Sequence, residues 1–259
     1  MNWSKKRCVI LDMDGTVYLG HIPIEGAVNF IQRHWQDLDF YFLSNNTSKS
    51  PASYVEKLQG MGIPAHMERM LSPVSPLVDF LRANNISRAY PVGNSDFQGD
   101  LQGRMPELQL TEDGAQAVIL AYDTQLTYEK LARSALLLQD DKVLFLATHP
   151  DLVCPSPEGP LPDVGSFISL YQTATGRSPQ HIFGKPDPTV LAPLLKRYAK
   201  DEMVMVGDRL STDKKLAENA GIDFILVLSG EAVRADLEME SIQPTLVVED
   251  LGHAEAYWS

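Results

Sequence analysis

Short apolar runs alternate with longer stretches in which apolar residues recur every three or four positions. An apolar run bounded by polar residues predicts a buried strand, and the longer spacing predicts an amphipathic helix. The predicted strands are residues 8–11, 40–43, 88–92, 117–120, 143–147, 203–206, 224–228 and 245–248. The predicted helices are residues 26–37, 51–59, 73–84, 127–138, 163–175, 189–198 and 212–220. This alternation is typical of an α/β protein with a doubly wound parallel sheet.

Two acids follow the first predicted strand, in the sequence Asp12-Met13-Asp14-Gly15. The carboxyl end of a buried parallel strand is where α/β proteins bind ligands. Alternate residues of an extended chain share a face, and Gly15 permits the tight turn that follows. Two carboxylates this close suit a hard divalent cation, or a pair in which one acid attacks phosphorus and the other transfers a proton.

Three further polar clusters complete a pattern that suits phosphate. Residues 44–48, Ser-Asn-Asn-Thr-Ser, follow the second predicted strand and supply hydroxyl and amide donors for an anion. Lys185 lies in a proline-rich loop and offers a compact positive charge. The strand at 203–206 runs into Asp208, with Asp213 shortly after it. Together the clusters predict a site for a phosphoryl group and a cation.

These four clusters, in this chain order, resemble the haloacid dehalogenase (HAD) superfamily of phosphotransferases. Four sequence motifs are similar to those of the NagD-like, or 4-nitrophenylphosphatase-like, branch (class IIA): LDMDGTVYLG, SNNTS, GKPDP and GDRLSTD. Residues 121–131, 146–155 and 163–179 are similar to the large inserted cap of that branch. The resemblance covers nearly the whole chain and implies a Rossmann-like catalytic core.

The long separation between residues 44–48 and Lys185 agrees with an inserted domain, because it is too great for a loop. We predict a catalytic core of residues 1–82 and 182–259 and an α/β cap of residues 83–181. Closure of a cap excludes water and brings cap residues to the leaving group. Substrate specificity is therefore expected in the cap.

The resemblance implies a role for each acid. Asp12 would be the nucleophile that forms an aspartyl phosphate, and Asp14 would protonate the leaving group and then activate water. Mg²⁺ would be bound by the Asp12 carboxylate, the Asp14 backbone carbonyl and Asp208, and Asp213 would order these metal ligands.

The phosphoryl-transfer transition state spreads negative charge over three equatorial oxygens, which need positive charge and neutral donors around them. Ser44, Asn45 and Lys185 fit those places. Asn46 either contacts the phosphate or braces the loop, and the sequence does not separate the two.

The cap segment that resembles the family's substrate-facing loop contains His149-Pro150-Asp151, so His149 and Asp151 are predicted to bind substrate. Many relatives resemble Ala-Thr-Asn-Pro-Asp here, whereas this chain has the imidazole of His149 in place of the amide. His149 is equally suited to holding the loop together, and Asp151 to capping a turn.

Composition narrows the choice of partners. With 259 residues, of which 44% are hydrophobic and 22% charged, the chain can bury a core of two domains. A net charge of −12 without a dense basic patch argues against a nucleic acid polymer as a partner.

No apolar run predicts a membrane span or a signal peptide, and Cys8 and Cys154 are too far apart to suggest a disulfide framework. We therefore predict a cytoplasmic protein.

The favoured function is a Mg²⁺-dependent phosphomonoesterase that hydrolyses a small phosphorylated metabolite: a nucleoside monophosphate, a sugar phosphate or a glycolytic-type acid. The generic substrate would be 4-nitrophenyl phosphate. One alternative is a phosphomutase, whose cap would have to exclude water. A second is a phosphorylatable receiver, a class that is much shorter and needs neither a cap nor a proton shuttle at Asp14. A homo-oligomer, if one forms, is predicted to use the cap.

Overall fold

The computed structural model describes residues 3–156 and 158–258. The strands, in chain order, are β1 Cys8–Leu11, β2 Tyr18–Leu19, β3 Ile22–Pro23, β4 Asp39–Leu43, β5 Met70–Leu71, β6 Arg88–Val92, β7 Gln109–Leu110, β8 Ala117–Leu120, β9 Leu144–Ala147, β10 Val153–Cys154, β11 Leu161–Pro162, β12 His181–Ile182, β13 Met203–Gly207, β14 Asp223–Val227 and β15 Leu246–Val248. The α-helices are α1 Glu25–His34, α2 Pro51–Gly60, α3 Val74–Ala83, α4 Ser95–Arg104, α5 Tyr128–Leu137, α6 Val164–Thr175, α7 Ala192–Leu195, α8 Lys215–Ala220 and α9 Glu255–Trp258.

The chain divides into two compact units. The core unit contains the described residues up to Ser44, Ala52–Leu71, and those from Lys185 onward. The cap unit contains Asn45–Pro51 and Ser72–Gly184. The cap unit therefore begins earlier than the predicted boundary at residue 83, and it includes a short segment near residue 45 that the prediction assigned to the core.

The core unit is built on a parallel sheet with the strand order β15-β14-β13-β1-β4-β5. Alternate β1 residues pack on opposite sides: Val9 and Leu11 contact one apolar cluster, and Cys8 and Ile10 the other. Helix α1 contributes to the first cluster and α8 to the second, so both faces of the sheet are covered. The strand order reverses direction beside β1, and such a reversal opens a ligand crevice at the carboxyl ends of the strands.

The cap unit has its own parallel sheet, with the order β12-β9-β8-β6-β7. Helix α3 packs its apolar face, including Leu77 and Leu81, into the same cluster as Ala117 and Ile119 of β8. This packing explains why α3 belongs to the cap unit, although part of its sequence was predicted to lie in the core.

The predicted α/β fold with a doubly wound parallel sheet is confirmed. Among the described residues, none of the helices combines the length and apolar character that crossing a bilayer requires. The predicted helix at 189–198 is instead a 3₁₀ turn, Pro188–Leu191, followed by the short α7. Pro193 lies in this region and has no backbone N–H to donate within a helix.

Candidate active site

The strand register of the core sheet brings two predicted site residues together. Leu11 of β1 lies opposite Val206 of β13, and the backbone N–H of Asp12 donates to the Val206 carbonyl at 2.9 Å. Asp208 directly follows β13, so both acids leave the sheet at the same edge. Their side chains are buried, with Asp12 8% exposed and Asp208 3% exposed.

Lys185 joins two of the acids. Its Nζ forms an ion pair with Asp12 Oδ1 and another with Asp213 Oδ1 at 2.7 Å. Burial opposes the charged form of Lys185, but the two carboxylates outweigh it and raise the lysine pKa above its usual range. The core unit thus contains a buried, permanently charged cation against the carboxylate predicted to be the nucleophile.

Backbone N–H groups hold Asp208 and Asp213 in place. Asp208 Oδ2 accepts a hydrogen bond from the N–H of Glu231 at 2.7 Å, and Asp213 Oδ2 accepts one from the N–H of Arg209 at 3.1 Å. Gly15, with φ +89°, approaches the Asp208 carboxylate so closely that a Cβ atom would collide with it. A larger residue at position 15 would therefore displace Asp208.

The donor set fits a divalent cation. Oxygen atoms of Asp12, Asp208 and Asp213 all lie within 4.8 Å of one another. Asp208 Oδ1 is buried and has no hydrogen-bond partner among the described residues. Burial and the charges of Asp12 and Asp213 raise the pKa of Asp208 to about 8, because they disfavour its ionised form. A bound cation would offset this effect. Burial raises the pKa of Asp213, and the positive charge of Lys185 opposes this effect. Burial is the larger effect, and the pKa is raised to about 6.

Asp14 and Ser44 lie in the core unit but outside this group of carboxylates. The Asp14 side chain is exposed, and its Oδ1 accepts a hydrogen bond from the Gly20 N–H at 3.3 Å. Ser44 follows β4 and is half-buried, with its N–H donating to the Leu71 carbonyl at 3.3 Å. An exposed carboxylate at position 14 suits exchange of protons with solvent.

The structure places Asn45 and Asn46 in the cap unit. Asn45 is buried, and its Nδ2 donates to Asp151 Oδ2 at 3.2 Å. Asn46 Oδ1 accepts hydrogen bonds from the N–H and hydroxyl of Ser48 at 2.9 and 2.7 Å. These bonds give Asn46 the geometry of a loop brace, one of the two roles that the sequence left open.

His149 is completely buried in the cap unit. Its Nε2 donates to Asp163 Oδ1 at 2.9 Å, and its Nδ1 lies 2.9 Å from the Thr148 hydroxyl oxygen. Both ring nitrogens therefore have partners inside the protein, which favours the loop-holding role of His149 over direct contact with substrate.

The sequence did not reveal two of the hydrogen-bond partners described above: the N–H of Glu231, which bonds to Asp208, and the carboxylate of Asp163, which bonds to His149. The N–H of Glu231 orients Asp208, but a backbone donor has no residue type by which to recognise it. Asp163 was predicted only as the start of a helix, and it does cap α6 by accepting from the Val164 N–H at 2.7 Å. Its separation from His149 along the chain gave no local pattern for their pairing.

Comparisons with known proteins agree with this architecture. A model of haloacid dehalogenase-like hydrolases matches residues 9–104, and a HAD-hydrolase-like model matches residues 182–254. The acid sugar phosphatase of Staphylococcus aureus is 32% identical in an alignment 257 residues long, and the match covers 96% of this chain and 97% of that protein.

Solved structures extend the match to the whole fold. The 4-nitrophenylphosphatase of Thermotoga maritima superposes with a TM-score of 0.93 at 35% identity, over 100% of both chains. The glycerol phosphate phosphatase of Mycobacterium tuberculosis in complex with magnesium gives a TM-score of 0.86 at 28% identity, over 96% of this chain and 77% of that one. The resemblance found in the motifs is confirmed: the chain belongs to the haloacid dehalogenase-like hydrolase family, in its NagD-like and 4-nitrophenylphosphatase-like branch of phosphatases.

Proposed function

We propose that this protein is a Mg²⁺-dependent phosphomonoesterase that hydrolyses a small phosphorylated metabolite through an aspartyl phosphate on Asp12. The observation that carries the proposal is the buried group formed by Asp12, Lys185, Asp208 and Asp213 at the carboxyl ends of β1 and β13. Among the substrate classes considered from the sequence, the name of the Staphylococcus aureus relative supports sugar phosphates.

Asp12 is suited to attack phosphorus. Lys185 holds it by one carboxylate oxygen, Oδ1, which leaves the other oxygen to form the new bond to phosphorus. The oxygen of a carboxylate anion carries no proton, so no base is needed to activate it for attack. As the bond from phosphorus to the leaving oxygen breaks, the positive charge of Lys185 would stabilise the charge on the equatorial oxygens.

Two proton transfers complete the reaction in this proposal. Asp14 gives a proton to the departing alkoxide and takes one from the water that then attacks the aspartyl phosphate. Cleavage of that intermediate releases inorganic phosphate and restores the Asp12 carboxylate. Giving up its proton in the first step leaves Asp14 as the carboxylate that the second step needs, and its side chain is exposed to the incoming water.

A divalent cation would be held by Asp12 and Asp208, with the Asp14 carbonyl as a further ligand. Asp213, whose oxygens are bonded to Lys185 and to the Arg209 N–H, would order these ligands. When bound, the cation reduces the repulsion between an anionic nucleophile and an anionic phosphate. Magnesium in the Mycobacterium tuberculosis relative supports Mg²⁺ as that ion.

The Asp14→Asn variant is expected to lose about 10²- to 10⁴-fold in kcat on a sugar phosphate, since its poor alkoxide leaving group needs protonation. The 4-nitrophenolate ion leaves without a proton, so 4-nitrophenyl phosphate should give a rapid burst of one nitrophenolate per active site, followed by slow turnover. Stopped-flow absorbance measures both phases. Wild-type rates on both substrates would contradict the role of Asp14.

Chelation with EDTA is expected to abolish phosphate release, and added Mg²⁺ to restore it. The same assay, run over sugar phosphates, nucleoside monophosphates and phosphorylated acids, tests the substrate class. Release of inorganic phosphate separates a phosphatase from a phosphomutase, which would instead return an isomer of its substrate. Activity that survives complete removal of metal would contradict the proposed metal dependence.

A cytoplasmic location and oligomerisation through the cap stay predictions.

A further inference from the structure

The loop that follows β14, residues 228–233, packs directly against Asp208 within the core unit. The N–H of Glu231 donates to Asp208 Oδ2 at 2.7 Å, and the N–H of Ala232 donates to the Asp208 backbone carbonyl at 3.1 Å. Gly230 approaches so closely that a Cβ atom there would lie 2.0 Å from Asp208 Oδ2. The position of this loop therefore fixes the position of the Asp208 carboxylate.

Two side chains of the loop tie it to other parts of the core unit. The Ser229 hydroxyl donates to the Gly15 carbonyl at 2.7 Å, which connects the loop to the turn after β1. The Glu231 carboxylate forms an ion pair with Arg209, with Nε and Oε2 separated by 3.0 Å. The side chain of Arg209 is 18% exposed and that of Glu231 57% exposed, so the pair is partly shielded from water and from screening by salt.

The backbone of Arg209 is fixed beside the other buried acid of this segment. Its N–H donates to Asp213 Oδ2 at 3.1 Å, and its carbonyl accepts from the N–H groups of Asp213 and Lys214, each at 3.1 Å. From this fixed backbone the side chain reaches Glu231. The Arg209–Glu231 pair therefore connects the segment that orients Asp213 with the loop that orients Asp208.

The two oxygens of the Asp208 carboxylate have different surroundings. Oδ2 accepts from the Glu231 N–H, whereas Oδ1 is buried and has no hydrogen-bond partner among the described residues. If the loop moved away, the carboxylate could rotate and Oδ1 would lose its fixed direction. Groups that orient a metal ligand from behind typically change metal affinity by about 10- to 100-fold when they are lost.

We propose that Arg209 and Glu231 are positioning residues whose ion pair holds Asp208 in the orientation that binds the divalent cation. This inference rests on the proposed function, in which Asp208 is a metal ligand. The rival explanation is that the two charges act on the cation only through space. In that case Arg209 repels the cation and Glu231 attracts it, so removal of the two charges would change cation affinity in opposite directions. The positioning role predicts a loss of affinity in both cases.

Binding of Mn²⁺ in the absence of substrate tests the proposal. The EPR signal of free Mn²⁺ gives its Kd for the wild type, for Arg209→Met, for Glu231→Gln and for the double variant. We expect each single variant to weaken binding by about 3- to 10-fold, less than the loss of a direct partner of the ligand, because the Glu231 N–H itself remains. The double variant should bind no more weakly than Arg209→Met. An Asp208→Asn variant should lose most of the binding, which shows that the measured ion occupies this site.

Phosphate release, measured as a function of Mg²⁺ concentration, gives a second readout. The concentration that supports half of the maximal rate should rise by the same factor as the Kd, whereas kcat at saturating Mg²⁺ should change little. A general structural defect would instead lower kcat at every Mg²⁺ concentration. Thermal unfolding without metal shows whether each variant is folded.

Glu249→Gln provides a matched control. Glu249 directly follows β15, so it leaves the same sheet at its carboxyl edge, and it pairs with Arg234 at 2.5 Å. The variant removes the same charge from another arginine–glutamate pair of the core unit. It should bind Mn²⁺ like the wild type.

Tighter Mn²⁺ binding by Arg209→Met, wild-type binding by Glu231→Gln, or an equal loss in Glu249→Gln would overturn the positioning role. Metal-dependent phosphate release by the wild type would leave the proposed function standing in each of these cases. A wild-type protein that binds no divalent cation would overturn both. If the wild type binds Mn²⁺ but releases no phosphate, the proposed function fails and the Kd values alone decide the positioning role.

Discussion

The Asp12→Asn variant is expected to lose phosphatase activity by about 10⁴-fold or more, because the amide that replaces the proposed nucleophile beside Lys185 is a poor nucleophile. Release of inorganic phosphate from 4-nitrophenyl phosphate, with saturating Mg²⁺, measures this loss. The fold should be retained, because the replacement has the same shape and Lys185 keeps its ion pair with Asp213.

Asp250→Asn provides a matched control in the same unit. Asp250 caps a 3₁₀ turn by accepting from the Gly252 N–H at 2.7 Å, and asparagine can do the same. We expect this variant to turn over substrate like the wild type. Undiminished activity in Asp12→Asn would refute the assignment of the nucleophile, and equal losses in both variants would indicate a general effect on folding.

The Lys185→Met variant is expected to lose both activity and stability. Removal of the lysine ammonium group leaves Asp12 and Asp213 buried without their shared cation. Breaking a buried ion pair in this way lowers the free energy of unfolding by about 3–5 kcal/mol. The transition state would also lose a charged donor, which typically lowers kcat by about 10²- to 10³-fold. Urea unfolding without metal gives the first quantity, and phosphate release gives the second.

Lys6→Met separates the two effects. Lys6 is also buried in the core unit, where it pairs with Asp223 at 2.5 Å and donates to the Met203 carbonyl at 2.8 Å. Its replacement should reduce the free energy of unfolding with little change in kcat. If Lys185→Met lowered stability but kept wild-type kcat, Lys185 would be a structural residue only.

Sequence patterns located most of the regular elements because apolar runs and helical spacing are local properties. The strands Arg88–Val92 and Ala117–Leu120 have the predicted ends. Helix α4 was missed because it is polar, with glycines at 99 and 103, and buries only Phe97 and Leu101. In the sequence, helix α4 was indicated only by the spacing of those two residues and by the capping residue Asn94.

The grouping of Asp12, Asp208 and Asp213 in the core unit has a related explanation. Asp12 and Asp208 each directly follow a strand, and parallel strands bring their carboxyl ends together whatever lies between them in the chain. The partners within the cap were not predictable in this way. Asp151 meets Asn45 and Asp163 meets His149 through loop packing, which depends on tertiary contacts that no local spacing encodes.

The register of β1 has a consequence for synthesis on the ribosome. One edge of β1 pairs with β4, which is made soon afterwards, but the other pairs with β13, in which Cys8 lies opposite Met203. Until Gly207 has been translated and has left the exit tunnel, that edge has no partner. An apolar strand with an open edge is a template for other chains, so the nascent polypeptide is exposed to pairing with other chains for most of its elongation.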